Sequence, residues 1–333
     1  MKTIQLTGIG NALVDIEYRV TPEELEAFGV QKGAMTLTEP QRRAEILASL
    51  GSREAHKSSG GSAANSIIAF AQFGGTAAYV SLLGEDADGR HYADEFRQLG
   101  IHLEAPLLPG LETGTCVVFV TPDAERTLNT TLAANMHFDR SHVREDLIKA
   151  SEWIYIEGYK LTDDNGREAA DVAAFYARKH GTHLAVSCSD GFIVDVFGDA
   201  LRELLKSATM VFANETEAMA LSGEGQAKDA FARLASVYPN MAVTMGDKGS
   251  IIHWNGDIVE IPAYTTTPID TIGAGDMYAG AFLYGAVHRY RPEYAGRLAS
   301  YASSLVVSQY GPRLRTSHLD VRDSILSSAE TLP

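Results

Sequence analysis

The chain is poor in cysteine: of 333 residues only Cys116 and Cys188 are of this type, far apart and in no CxxC pair. That excludes a disulfide framework and a cysteine-built zinc site, and both read as buried reduced thiols. A chain of this length buries a sufficient core without such staples. Basic charge is also scarce, with 28 Lys and Arg against 43 Asp and Glu and a net charge of −15. A nucleic-acid backbone demands clustered cations, so a nucleic-acid partner is excluded, though a small anionic substrate is not. No apolar run approaches the roughly 20 residues that cross a bilayer, and MKTIQLTGIGNALVDIEY turns polar too early for a secretory signal. The expectation is a soluble cytoplasmic protein with no membrane partner. There is no Gly-Lys dipeptide, hence no Walker A loop, and the ten histidines form no HExxH pair that would suggest zinc hydrolysis.

What is present is an alternation. Apolar, β-branched runs at residues 3–9, 78–83, 153–157, 184–188, 210–213 and 241–245 are separated by segments with helical spacing at 65–73, 90–99, 165–179, 196–205 and 227–237. This pattern predicts an α/β protein with a mostly parallel central sheet covered on both faces. Two helices, 277–287 and 294–307, follow without intervening strands. Residues 14–19 and 34–37 flank a short helical stretch, and 115–121 and 126–131 flank the turn Pro122-Asp123-Ala124-Glu125. Both read as antiparallel ribbons inserted into the scheme, forming a small β-sheet lid from about 13–38 and 113–132 on a single domain spanning 1–333.

The most informative segment is Asp270-Thr271-Ile272-Gly273-Ala274-Gly275-Asp276, which runs directly into a helix. Small residues let the backbone approach a ligand, and the first helical N–H groups with the dipole favour an anion. During phosphoryl transfer, charge spreads over the oxygens of the moving group, where such amides are effective. Asp276 at the same turn can take the proton of an attacking hydroxyl. The competing reading is a glycine-rich turn with Asp276 as a helix cap. At the other end, Gly8-Ile9-Gly10-Asn11-Ala12-Leu13-Val14-Asp15 leaves the first strand, and Leu13 in place of the third glycine rules out a dinucleotide fingerprint. Asp15 could accept hydrogen bonds from vicinal hydroxyls, Gly60 and Gly61 could admit a sugar close to the backbone, and Asn65 could be a further partner. Taken singly, Asp15 reads equally as a turn residue and Asn65 as a helix cap.

DTIGAGD resembles the C-terminal signature of the ribokinase-like, or PfkB, carbohydrate kinases. SGGSAAN at 59–65 followed by GEDADG at 84–89, NETE at 214–217 and VTMGDKG at 243–249 match that family in order and spacing. The resemblance implies a ribokinase-like three-layer α/β/α domain and ATP-dependent phosphorylation of a sugar hydroxyl. It makes Asp276 the catalytic base and the amides of Gly273, Ala274 and Gly275 an anion hole. Asn214 and Glu217 would organise Mg²⁺, Glu217 through water; an acidic first helical turn is the alternative reading of NETE. Thr244, Gly246 and Gly249 would form the nucleotide turn, and the stretch from Ala302 to Gly311 the adenine pocket with a nearby loop for a monovalent cation such as K⁺.

Within that family GNALVD and the later GAMTLTE are most similar to adenosine kinases, in particular a bacterial adenosine kinase-like group. That resemblance implies that Asp15 holds the ribose 2′- and 3′-hydroxyls with Asn11 and Asn65 nearby, that Leu37 packs on the base, that Tyr159 stacks on it, and that Arg126 swings toward the phosphate as a lid cation. Met35 stands where some adenosine kinases have a polar residue, which leaves the base less constrained. The expected acceptor is the 5′-hydroxyl of a purine nucleoside, in a monomer or homodimer. A kinase of a free sugar (ribose, fructose or a keto-deoxy acid) and a non-catalytic nucleoside or nucleotide sensor are the alternatives.

Overall fold

A computed structural model describes residues 2–123 and 125–332. Its main sheet has nine strands, in the order Asp257–Ile261, Ser250–Trp254, Asn240–Thr244, Met210–Asn214, His183–Ser187, Ser151–Glu157, Ile4–Ile9, Ala77–Val80 and His102–Glu104. All neighbours are parallel except the pairings made by Ser250–Trp254, which is antiparallel to the strands on both its sides. Alternate side chains enter opposite layers: Tyr155 joins one core, whereas Ile154 and Ile156 join the other. The first core packs against the helices Ser62–Gln72, Ala274–Val287 and Pro292–Val307, and the second against Asp164–His180 and Gly191–Leu205. The three-layer expectation holds. Parallel pairing brings the carboxyl ends of five strands to one edge, and Asn11, Glu157, Asp190, Asn214 and Thr244 all lie at or just beyond those ends.

The smaller sheet has five strands, ordered Met35–Leu37, Arg126–Thr131, Gly114–Val120, Leu13–Arg19 and His56–Gly60. Only one of the two expected ribbons is a hairpin. Gly114–Val120 and Arg126–Thr131 pair antiparallel, closed by Thr121 N–H donating to the Glu125 carbonyl at 3.0 Å; Ala124 of the predicted turn lies outside the described residues. Leu13–Arg19 and Met35–Leu37 do not pair with each other but lie parallel to the two arms of that hairpin. The helix Pro22–Ala27 lies between them in the chain. His56–Gly60 was not anticipated as a strand: HKSSG lacks the β-branched and aromatic residues that mark one. The antiparallel strands 250–254 and 257–261 at one end of the main sheet were also missed.

Arg126 joins the two sheets. Its guanidinium donates to Asp270 Oδ2 at 2.8 Å and pairs with Glu17, and the Arg126 and Asp270 side chains are 3% and 1% exposed. The remaining Asp270 acceptors take the N–H groups of Ile272 at 3.0 Å and Gly311 at 2.9 Å. In this structure Arg126, expected as a lid cation directed at phosphate, is paired with carboxylates on both sides, the buried Asp270 and the half-buried Glu17. A second close approach sets the helices. At Gly280 an added Cβ would lie 2.4 Å from the Ser66 carbonyl oxygen and 2.9 Å from the Ala69 Cβ, so Ala274–Val287 and Ser62–Gln72 approach at backbone distance.

Arg126→Ala should lower stability by about 3–5 kcal/mol, because it strands the buried Asp270 carboxylate and frees the half-buried Glu17; denaturant unfolding reads this, and a loss under about 1 kcal/mol would refute the tie. Gly280→Ala should destabilise by roughly 1–3 kcal/mol through overpacking despite alanine's better helix propensity. A rise in melting temperature would refute that contact.

Candidate active site

Gly273 precedes the helix Ala274–Val287 at φ 78°, and a Cβ there would lie 2.4 Å from the Pro312 Cβ, so a left-handed turn pressed against a neighbour requires glycine. The Ala274 N–H donates to the Thr271 carbonyl at 3.3 Å, which takes it out of the expected anion hole. The amides of Gly275 and Asp276, one and two positions on, belong to the first turn that a helix leaves unpaired. Open space surrounds the missing Cβ of Gly275. The Asp276 carboxylate accepts from Ser62 Oγ at 2.7 Å on one oxygen and from Asn65 Nδ2 at 3.0 Å on the other. Burial pushes its pKa up to about 6, while these two bonds act in the opposite direction.

Asp276 stands at the junction of two cavities. One, of about 400 Å³, is lined by Asn11, Asp15, Met35, Leu37, Gly61, Asn65, Tyr159 and Asp276, which brings together nearly every acceptor-side residue expected from sequence. The other, of about 500 Å³, is lined by Thr244, Gly246, Gly249, Tyr264, Ser303 and Val307. Thr271 and Gly275 line both. A narrow space of about 80 Å³ bounded by Ser62, Asn214, Glu217, Thr244 and Asp276 lies between them. None of the residues lining these three spaces is Lys or Arg.

In the first cavity, burial raises the Asp15 pKa to about 7, with Arg126 pulling the other way. Gly60 does not line the cavity; it makes room for Asp15, since a Cβ there would lie 2.3 Å from Asp15 Oδ2. Glu157 and Lys160 were missed. Glu157 accepts the N–H of Asn11 and of Ala63, each at 2.7 Å, and so joins the end of the first strand to the start of the Ser62–Gln72 helix. Lys160 donates to Asn11 Oδ1 at 3.1 Å. Burial raises the Glu157 pKa and lowers that of Lys160. The signal available was the run Glu157–Lys160 beside Tyr159, two opposite charges in an otherwise apolar strand end.

On the nucleotide side, Ala302 and Gly311 fall outside the second cavity. Ala302 is fully buried in the core, and its helix neighbours Ser300, Ser303, Ser304 and Val307 form the wall instead. Ser303 Oγ donates to the Ala274 carbonyl at 2.9 Å. Gly311 faces a separate groove and serves Asp270. Tyr264 and Thr266 come from a loop whose sequence carries no signal. Asn214 and Glu217 form a capping box: Glu217 N–H donates to Asn214 Oδ1 at 2.8 Å, and the Glu217 carboxylate takes the Asn214 N–H at 2.9 Å and Nδ2 at 2.7 Å. The cap reading therefore holds, yet the same pair borders the space between the cavities. Burial raises the Glu217 pKa to about 7, so a cation beside it would be favoured.

A model of the family described as pfkB family carbohydrate kinase matches residues 36–318. The adenosine kinase of Sinorhizobium meliloti is 34% identical with a TM-score of 0.90, over 96% of this chain and 99% of that one. A probable sugar kinase protein from Rhizobium etli CFN 42 is 32% identical with a TM-score of 0.91, over 97% and 99%. The adenosine kinase of Saccharomyces cerevisiae is 26% identical over 331 residues, 93% of this chain and 96% of its own. With two sheets in this arrangement and a helix-start carboxylate between two cavities, the chain belongs to the pfkB family of carbohydrate kinases and is an ATP-dependent kinase.

Proposed function

We propose that the chain transfers the γ-phosphoryl group of ATP to the 5′-hydroxyl of a purine nucleoside. The observation that carries this reading is Asp276 at the junction of two cavities, one large enough for each substrate. ATP lies along Thr244, Gly246, Gly249 and Tyr264, and the nucleoside lies between the main sheet edge and the smaller sheet. Asp15, with no hydrogen-bond donor of its own among the described residues, accepts the 2′- and 3′-hydroxyls. Met35, Leu37, Leu128 and Leu132, with Tyr159 among the same lining residues, suit a flat base. A free sugar would use only the Asp15, Asn65 and Asp276 end and leave that apolar wall bare. The smaller sheet acts as the lid, and closure excludes water that would hydrolyse ATP.

In the transfer step the 5′-oxygen forms its bond to the γ-phosphorus as the bond to the ADP oxygen breaks, and Asp276 takes the hydroxyl proton. The N–H groups of Gly275 and Asp276 meet the charge on the equatorial oxygens. Asn214 and Glu217 would hold, through water, a Mg²⁺ that supplies charge neutralisation at the β- and γ-phosphates. At the expected monovalent-cation loop the Val307 carbonyl accepts from the N–H groups of Ile269 and Asp270, and Arg126 meets the charge of Asp270.

An ADP-release assay across adenosine, inosine, guanosine, ribose and fructose tests the assignment, with nucleosides expected to exceed free sugars in kcat/KM; the reverse order overturns it. Asp276→Asn should lower kcat on the order of 10²-fold or more with acceptor binding retained, as befits a general base, and near-normal turnover would remove it from that role.

The pH dependence has a definite sign. Asp276 and Asp15 act ionised, so kcat/KM should fall as the pH drops through about 7 and about 6, with two protons in the wild type and one in Asp15→Asn. Stability moves the opposite way. Both folded values lie above the unfolded carboxylate range, so these groups stabilise the fold fully at acid pH and cease to as the pH rises through 6 to 7. A single-proton acid limb in the wild-type enzyme would contradict the pair of roles.

A further inference from the structure

Two acidic groups line the acceptor cavity without a part in the chemistry above: Glu157, held by the Asn11 and Ala63 N–H groups, and Asp190. Asp190 follows the strand His183–Ser187 and begins the helix Gly191–Leu205. One carboxylate oxygen accepts the Phe192 N–H at 2.8 Å, which caps the helix. The other lies 3.4 Å from the Tyr159 hydroxyl, a long contact. Neither partner is charged. The carboxylate lines the cavity, and it adds to the negative field that also raises Tyr159 and Glu217.

The backbone that carries Asp190 is strained. Ser189 sits at φ 71°, in the left-handed region that residues other than glycine rarely occupy. It is fixed there because its Oγ accepts the Gly158 N–H at 2.7 Å and its N–H donates to Ser187 Oγ at 3.1 Å. These bonds fasten the Asp190 turn to the strand end that bears Tyr159. A strained, over-determined turn that aims an acid without a cationic partner into a ligand cavity marks a functional position.

We propose that Asp190 is a specificity-determining residue, its free oxygen accepting a hydrogen bond from an N–H on the base of the nucleoside. This rests on the nucleoside reading. With the 5′-hydroxyl at Asp276 and the diol at Asp15, the base extends to the remaining walls of the cavity. Of the other carboxylates lining the cavity, Glu157 is taken up by the N–H groups of Asn11 and Ala63, which leaves Asp190 as the acceptor for the base. The ligand class is a purine nucleoside with a ring or exocyclic N–H donor, as in adenosine, inosine or guanosine. Purine riboside, which has the same sugar and no base N–H, is rejected.

Asp190→Asn isolates the effect. Asparagine is as good a helix cap as aspartate, and capping Phe192 with its oxygen turns its NH₂ toward the cavity, a donor where an acceptor stood. The wild-type enzyme should prefer adenosine and inosine over purine riboside by on the order of 10–100-fold in kcat/KM, the range for a hydrogen bond to a charged group. In Asp190→Asn that ratio should collapse to within a few fold, with the loss carried in KM and the melting temperature held. An unchanged ratio in a folded variant would reduce Asp190 to a helix cap and overturn the proposal. Phosphorylation of free ribose or fructose in preference to every nucleoside is a different result: it would overturn the nucleoside reading itself, and this inference with it.

Discussion

A carboxylate removed from water at the start of a helix is unstable as an anion unless donors reach it, and Asp276 depends on two from another helix. Ser62 and Asn65 supply them from the first turns of Ser62–Gln72, while Asp276 comes from the first turn of Ala274–Val287. Burial raises its pKa and the two bonds oppose that rise, with the balance at about 6, where the group is ionised at physiological pH yet still basic. That balance holds only while the two helix starts keep their spacing. Gly280 against Ser66 sets it along the helices, and Glu157, bonded to the Ala63 N–H, sets it at the tip.

The phosphate end solves a related problem. An acidic chain must handle a highly charged nucleotide, yet no Lys or Arg lines either main cavity or the space between them. In the proposed reaction, backbone N–H groups at a helix start serve instead, and they need no side-chain ordering at the moment of transfer. The cation best placed by sequence to help, Arg126, is held between Asp270 and Glu17. Its charge fixes the loop that presents Gly273 to Asp276 and ties that loop to the smaller sheet. Catalytic geometry and the seating of the second sheet therefore share one buried ion pair.

Periodicity made the parallel strands and their covering helices readable, because a strand buried on both faces is apolar throughout and a helix between two such strands shows its spacing plainly. The smaller sheet was only half readable. Its hairpin carries β-branched residues, whereas His56–Gly60 is a strand by virtue of pairing with Leu13–Arg19 and not by propensity. Ala302 and Gly311 were placed one helix face and one loop away from the cavity they were expected to line, since a ten-residue span cannot say which of its positions points inward.

The short motifs by themselves determined that a small-residue turn, a helix start and an aspartate would coincide, because 3.6-residue geometry and glycine's freedom are local properties. They also determined which strand ends would carry polar residues. The tertiary structure decided what those groups touch. Asp15 gained its room from Gly60, Glu157 became a clasp between segments far apart in the chain, and Arg126 became a tie between sheets. Each of these depends on a partner tens to hundreds of residues away, and the electrostatic fate of a charged side chain is set by that partner and by burial, neither of which is written in its immediate neighbours.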